Sequence, residues 1–541
     1  MCISTGNGVG LVQSGMLRKV FKKSKWIHKW FGLILILFLI WMSVSGILLN
    51  HPDWIASYSV PDWMVPPQYI PHNWNRSSLT SMVFSKPDTG LVFAGGKQGI
   101  WRSIDGGKSF QRYESGFEKD PYYKKTQNLF LVESGRPCLF AATDDGLYVN
   151  DLANKIWRKL KLSEEHEAVR KILKIENKLY IFSESNVYGT SGLFPDIQFK
   201  KLNWTRNEPE RRVTLIDLFF HLHDGRFWGL PGKLLFDFAG LIIIFLSFGA
   251  FYIWYFPNHI KRLKQKHIKF NVQKKSGTFR FFYKYHLKLG IWMSLIILLI
   301  GGTGFFMRPP ALVLIAYGNV PAWIYPGALP QNPWEHKVIN AMYDSVDHKV
   351  IIDATDGVWM GPADFSKPFI KKKLNSPLFV MGATVFEPYG TGGYLIGSFN
   401  GLYHLERSTG RPVDMINGGY ISEWSDVQPA DYMVTAYFKS PGGDEYINTH
   451  EKGLIKLPVN SIVEHDCFQM PESLSMEYKM SLWNFMFELH NGRIFKDWIG
   501  GLYILLIPLG SLFFILIILS GIYDWFILWQ IKRKTRKERL V

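Results

Sequence analysis

The 541-residue chain is 47% hydrophobic and 16% aromatic, holds three cysteines and has a formal net charge of +17. Six Lys/Arg fall in residues 1–30, ten in 257–290 and six in 530–541, against a single acid, Glu538, so the remainder of the chain is slightly acidic. Basic charge confined to the flanks of apolar runs is a membrane-topology signal, with contacts to anionic lipid, and excludes a nucleic-acid partner. Three scattered cysteines without a CxxC or CxxCH exclude a zinc ribbon and a covalently attached c-type haem.

In chain order, a basic tail (1–29) leads into a first apolar run (30–50) with no small-residue cleavage site after it, so the run is expected to stay as an anchor. A first large segment (51–232), a second run (233–256), a basic loop (257–284), a third run (285–307), a second large segment (308–498), a fourth run (499–529) and a basic tail (530–541) follow. Each run supplies about the 20 residues a helix needs to cross ~30 Å of hydrocarbon. The basic flanks put both termini and the middle loop on the cytoplasmic side and export the two large segments.

The exported segments carry strand–glycine turn–strand units. "LVFAGGKQGIWRSIDGGKSF" ends in Ser103-x-Asp105-x-Gly107-x-x-Phe110, an Asp-box of the kind that caps hairpin turns, and "CLFAATDDGLYV", "VIIDATDGVWMG", "YLIGSFNGLYHL" and "YINTHEKGLIKL" follow. About three such units per segment predict one β-propeller of six to eight blades built from both segments; two separate small β domains are the alternative. Cys138 and Cys467 fall one in each segment, as a disulfide or as two free thiols.

The chain repeats itself. "WIHKWFGLILILFLIWMSVSG" (26–46) aligns with "KYHLKLGIWMSLIILLIGGTG" (284–304), matching His28 to His286, Gly32 to Gly290 and Gly46 to Gly304. "HLHDGRF" (221–227) and "ELHNGRI" (488–494) then precede the second and fourth runs. Each half crosses twice, so the halves share one orientation, and the expected architecture is a four-helix bundle of two parallel repeats. One such histidine, or one Gly-Arg unit, reads equally as an interfacial residue. Repeated, they form pairs: His28 with His286, and His223 with His490. Two neutral imidazoles facing each other among apolar helices suit the axial positions of haem iron, whereas zinc takes four ligands and no further ligand cluster accompanies them. Two b-type haems would follow, giving an electron path across the membrane. Gly32, Gly290, Gly225 and Gly492 would leave room for the macrocycles, and Arg226 and Arg493 would neutralise propionates. His51, where the second half has Pro309, and the nearby Met307 are further candidate ligands without counterparts.

These paired motifs resemble the PepSY-associated transmembrane family, whose members include inner-membrane ferric-siderophore reductases that carry haem in the membrane. The resemblance covers the four helices and their approaches, about a third of the chain. It implies haem ligation by His28, His286, His223 and His490, an inner-membrane location with periplasmic segments, and electron delivery outward to a ferric chelate or another exported redox acceptor. The cytoplasmic loops are too short for an NAD(P)H domain, so the electron donor would be a quinol or a separate reductase. The exported part departs from the family, with propeller-like blades where members commonly carry PepSY domains. Two other functions fit the residues: a membrane-anchored propeller that senses or binds a ligand without catalysis, and an electron-transfer partner of another exported redox protein. No catalytic Ser/His/Asp set, Walker loop or dinucleotide fingerprint is present.

Overall fold

A computed structural model describes residues 15–117, 122–163, 167–191, 197–207, 212–266, 272–325, 332–424, 429–459 and 467–538. The chain divides into a helical unit, Met1–Trp54, Arg212–Ala328 and Met486–Val541, and a β unit, Ile55–Arg211 and Leu329–Phe485.

Eight helices matter here: α1 (Gly15–Ile34), α2 (Ile36–Asn50), α3 (Leu215–Asp224), α4 (Gly229–Gln265), α5 (Val272–Trp292), α6 (Ser294–Phe305), α7 (Leu482–His490) and α8 (Tyr503–Glu538). α4 and α8 are each long and apolar enough to cross a membrane, and α1–α2 and α5–α6 raise the number of spans to four if each bent pair is one span. The pairs bend by 61° and 66°, at Leu35 and Met293, which hold matching places in the repeat. The helices also outrun the apolar runs. α1 starts at Gly15, α4 passes Pro257 to reach Gln265, and α5 begins at Val272 inside the predicted loop; Lys and Arg are good helix formers, and Pro257, a stop signal by itself, is carried within α4.

The bends follow from packing. α1 packs on α8 while α2 packs on α4; α5 packs on α4 while α6 packs on α8. Each bent pair thus divides its two segments between the two long helices, in a twofold-like exchange. Ala239, Ile242, Ile243, Met293, Ile297 and Phe514 form the shared apolar core. Trp26, Trp30, Trp525 and Trp529 are exposed near the basic ends and Trp228 and Trp498 near the other, the aromatic belts expected of membrane helices.

The β unit is six antiparallel sheets over 81–112, 126–160, 169–201, 338–372, 385–414 and 434–457, in simple up-and-down order. The second strands of three of them, Val92–Gly96, Cys138–Thr143 and Gly393–Ser398, are buried at every position. A strand reads as apolar and small throughout only when both faces are covered. Each sheet is indeed covered twice: one core joins the first and second sheets through Phe93, Leu139 and Trp157, another the second and third, and the series continues through third and fourth, fourth and fifth and fifth and sixth. A last cluster, with Val92, Trp101, Phe438 and Leu454, joins the sixth sheet to the first. The two chain segments therefore build one unit, and two separate β domains are excluded. At the third-to-fourth seam Arg206–Asn207 also adds a parallel strand to Phe369–Ile370.

The Asp-box turn forms as read. Asp105 accepts from the backbone N–H of Lys108 and Ser109, each at 3.0 Å, and from the Ser103 hydroxyl at 2.7 Å, while Phe110 drops into the core between the first and sixth sheets. Those bonds, the Ser103 hydroxyl first, hold the Asp105 carboxyl far below the usual range. The disulfide alternative is not realised: Cys138 is buried, Cys467 is exposed and both are free. Burial pushes the Cys138 thiol up to about 12. Cys2 lies outside the described residues.

One buried carboxyl gives this unit a pH dependence. Asp353 is 1% exposed and accepts a 2.6 Å bond from Ala383 N–H; burial raises it to about 7. Its folded value lies above the unfolded ~3.9, so the folded state keeps a proton that the unfolded state has released. Stability conferred on the β unit must then fall as pH rises from about 4 to about 7 and stay flat above, at no more than ~1.4 kcal/mol per pH unit. Denaturant unfolding followed by tryptophan fluorescence should show that slope in wild type and its loss in Asp353→Asn, which should be the more stable of the two at pH 8. A flat wild-type profile, or a less stable variant at pH 8, contradicts this account.

Candidate cofactor site

α3 and α7 carry the Leu-His-x-Gly-Arg motifs. Thr214 caps α3, its hydroxyl accepting from Asp217 N–H at 3.0 Å, and Ser481, at the matching position before α7, accepts from Asn484 N–H at 3.2 Å. Gly225 and Gly492 lie just past the two helices with φ of 84° and 76°, the left-handed turn that glycine allows at a helix end. A side chain at Gly225 would also stand 2.6 Å from the Gly232 carbonyl. Both glycines thus turn the chain at a helix end. The arginines likewise face their own acids. Arg226, 57% exposed, pairs with Asp224 at 2.6 Å, and Arg493 grips both oxygens of Glu488 at 2.9 and 2.5 Å.

The four histidines converge in two pairs. His28 and His286 have ring centres 6.3 Å apart, and His223 and His490 have theirs 6.4 Å apart. No hydrogen bond joins either pair among the described residues. The Nδ1 atoms are engaged elsewhere: His28 on the Ile517 carbonyl at 2.9 Å, His223 on the Ile300 carbonyl and the Thr303 hydroxyl, both at 3.1 Å, and His490 on the Ser45 hydroxyl at 2.8 Å. The exception is His286, whose Nδ1 is enclosed without a hydrogen-bond partner. The hydroxyls fix the tautomers. Ser45 donates its one proton to the Trp41 carbonyl at 2.7 Å and Thr303 to the Leu299 carbonyl at 2.7 Å, so each must accept from its histidine. Nδ1 is then the protonated nitrogen, and Nε2 keeps its lone pair for a metal.

Glycines seat every ring. A side chain at Gly304 would meet His223 Cε1 at 3.0 Å, at Gly521 His28 Cε1 at 2.9 Å, at Gly46 His490 Cε1 at 3.4 Å and at Gly249 His286 Nδ1 at 3.6 Å. Ser45-Gly46 and Thr303-Gly304 occupy matching places in the repeat, so each outer histidine leans on a hydroxyl-glycine step from the other half. The alignment contained that signal in "VSG" and "GTG". Gly32 and Gly290, one turn after His28 and His286, have no atom within 4 Å of where a side chain would begin. Gly304 neighbours Ser511 and His28 neighbours Gly521, ten residues apart on α8, so the two pairs are separated by roughly 15 Å along the helix.

The remaining candidates sit apart. His51 donates its Nε2–H to Asp237 Oδ2 at 2.7 Å, which commits that nitrogen, and stacks on Trp54 at 3.9 Å. Met307 closes the end of α6 through its backbone N–H to Gly304 O. Among the described residues no group of three or more His, Cys, Asp or Glu could hold a metal ion. The spacing of the pairs leaves room for an ion between two imidazoles. Two metal–imidazole bonds of about 2.0 Å on opposite sides of one ion, with about 1 Å from nitrogen to ring centre, set the ring centres roughly 6 Å apart. Directly hydrogen-bonded imidazoles would be closer, near ~5 Å.

Membrane-type helices bearing two half-buried histidine pairs, joined to a large β unit, define an integral membrane protein with a substantial extramembrane domain. The chain belongs to the PepSY-associated TM region family, whose model matches residues 258–527. No curated protein matches the sequence. Among solved structures, the extracellular domain of a one-component system from B. thetaiotaomicron is 11% identical at a TM-score of 0.33, covering 70% of this chain and 38% of that one. The Cps50 (Swd1) β-propeller domain of Myceliophteria thermophila is 10% identical at a TM-score of 0.30, covering 71% and 86%. YCF48 from Cyanidioschyzon merolae is 17% identical at a TM-score of 0.21, covering 27% and 48%.

Proposed function

We propose that this protein is a di-haem transmembrane oxidoreductase that passes electrons outward across the inner membrane to a ferric chelate, such as a ferric siderophore, in the periplasm. His28 and His286 would hold an inner b-type haem and His223 and His490 an outer one. The four spans would form a bundle with twofold-like exchange between the halves, and the six sheets would be the blades of one propeller. The observation that carries this reading is the pair of ring separations, 6.3 and 6.4 Å, with Nδ1 protons directed away from the gaps. A haem with two imidazole ligands supplies a one-electron carrier whose potential the protein tunes through ligand and surroundings. The chain's contribution is to hold the tautomers through Ser45, Thr303 and the Ile517 carbonyl and to seat the rings on glycine. Each ferric centre takes one electron to become ferrous. A quinol donor gives up two electrons and two protons, so two chelates are reduced per quinol.

Absorption spectroscopy of the purified protein tests this directly. A bis-imidazole b-type Soret spectrum with two haems per chain is expected, and wild-type protein without haem ends the proposal. The glycine seats add a second check. A valine at Gly304 must displace the His223 ring, so Gly304→Val should lose or convert one haem to high spin and leave the other spectrum intact. Two unaltered haems in that variant would show that His223 does not ligate from this position.

A further inference from the structure

Arg308 lies four residues past Gly304, one helical turn beyond the glycine that seats His223. It is half-buried, and its Nε is enclosed without a hydrogen-bond partner. Its guanidinium carbon stands 5.9 Å from the Tyr503 ring centre, and burial first, then the neighbouring Arg493, act against its charge. The carboxylate in reach, Glu488, already gives both oxygens to Arg493. Among the described residues Arg308 has no carboxylate at ion-pair distance, and its guanidinium cannot shed its proton. Glu488 is thus committed to Arg493, and Arg308, whose side chain bonds that of Tyr503, keeps a positive charge with no carboxylate opposite it beside the outer histidine pair.

The other half lacks this feature. Asn50, the counterpart of Arg308, donates to Asp237 at 3.0 Å, and Asp237 also holds His51. One side of the outer site is thus acidic and satisfied, and the other cationic and unsatisfied. We infer that Arg308, with Arg493 beside it, receives a propionate carboxylate of the group held by His223 and His490, and so orients that group with its acidic edge toward the second half of the chain. This rests on the haem reading above. A macrocycle between the two imidazoles carries its carboxylates at its rim, and a planar guanidinium offers them a two-pronged partner.

The test is an optical redox titration of the full-length protein with haem content measured alongside. A cation beside the haem favours the reduced, less positive iron, so Arg308→Gln should move one midpoint to a more negative potential and leave the other in place. Arg308→Lys should recover most of that shift. In protein reconstituted with haem dimethyl ester, whose propionates are blocked, Arg308→Gln should cause no further loss of haem affinity, since no carboxylate is left to pair. Loss of one haem of two in Arg308→Gln, with thermal unfolding unchanged, also supports the assignment. Two haems with unmoved midpoints overturn it, as does an equal loss of haem affinity with the blocked ester. Wild-type protein without haem instead overturns the underlying reading, which separates the two failures.

Discussion

His490→Ala should remove the outer haem and leave the inner one, halving the Soret absorption per chain. His223→Ala should do the same, and His28→Ala and His286→Ala should each remove the inner haem instead. The pairing by depth is the demanding part, because the paired residues are 258 and 267 positions apart in sequence and only the folded repeat brings them to 6.3 and 6.4 Å. The two sites lie in series between donor and acceptor. Reduction of a ferric acceptor should accordingly fall in all four variants by at least ~100-fold, the loss expected when even an outer-shell partner of a metal ligand is removed. His51→Ala should keep both haems, since its Nε2 is committed to Asp237. Haem quantified by pyridine haemochrome, with acceptor reduction in membrane vesicles, measures both effects. If the four histidine variants leave haem content and spectra unchanged, the pairs are packing residues only.

Asp356→Ala should be the most damaging single change in the β unit. Asp356 binds Arg206 at 2.9 Å and Lys337 at 3.1 Å and accepts from the Trp359 indole at 3.0 Å. Arg206 is 1% exposed along its side chain and lies between Trp334 and Trp359, 5.0 and 4.5 Å from their ring centres. Removing the acid takes from that enclosed guanidinium the carboxylate at 2.9 Å, at a cost of ~3–5 kcal/mol. At 2–4 °C per kcal/mol for a domain of this order, the thermal transition should fall by roughly 10 °C. Replacing both partners with leucine should restore much of the loss, because two apolar groups leave no orphaned charge. Burial works to raise the Asp356 carboxyl, but Lys337 and Arg206 outweigh it and hold it below the usual range. This contribution is therefore full above pH ~4 and lost as pH falls below that. Calorimetry of wild type, Asp356→Ala and the double leucine variant decides it; a single variant within 1 °C of wild type would mean the seam is held by other residues.

The repeat was the most legible feature of the sequence, and it located the histidines because duplicated residues stand out against an apolar background. Strand–glycine–strand units gave the sheets, since strands covered on both faces read as unbroken apolar and small residues. The bends were hidden. Leu35 and Met293 are ordinary helix formers, and only the choice of different partners by α1 and α2, and by α5 and α6, turns the chain there. The helix ends at Gly225 and Gly492 were legible too, because a glycine just past the last histidine of an amphipathic turn marks a helix C-terminus. Ser45 and Thr303 stood in the quoted alignment, but a hydroxyl reveals its role only when its own proton is seen to go elsewhere. Arg308 could not be found by looking for repeats, because its counterpart is Asn50.

The interleaving of the two units carries a consequence in time. The first three sheets end at residue 211 and the fourth begins after 329, with α3 to α6 made in between. At 5–20 residues per second a ribosome takes on the order of 10 s to cover that interval. Throughout it the first three sheets lack the neighbours that cover Val92 and Trp101 at one end of the series and Phe182 and Val187 at the other, side chains that end up fully enclosed. When several chains are made close together, the first three sheets of one can pack on the last three of another, and the exchanged pair would bury the same cores.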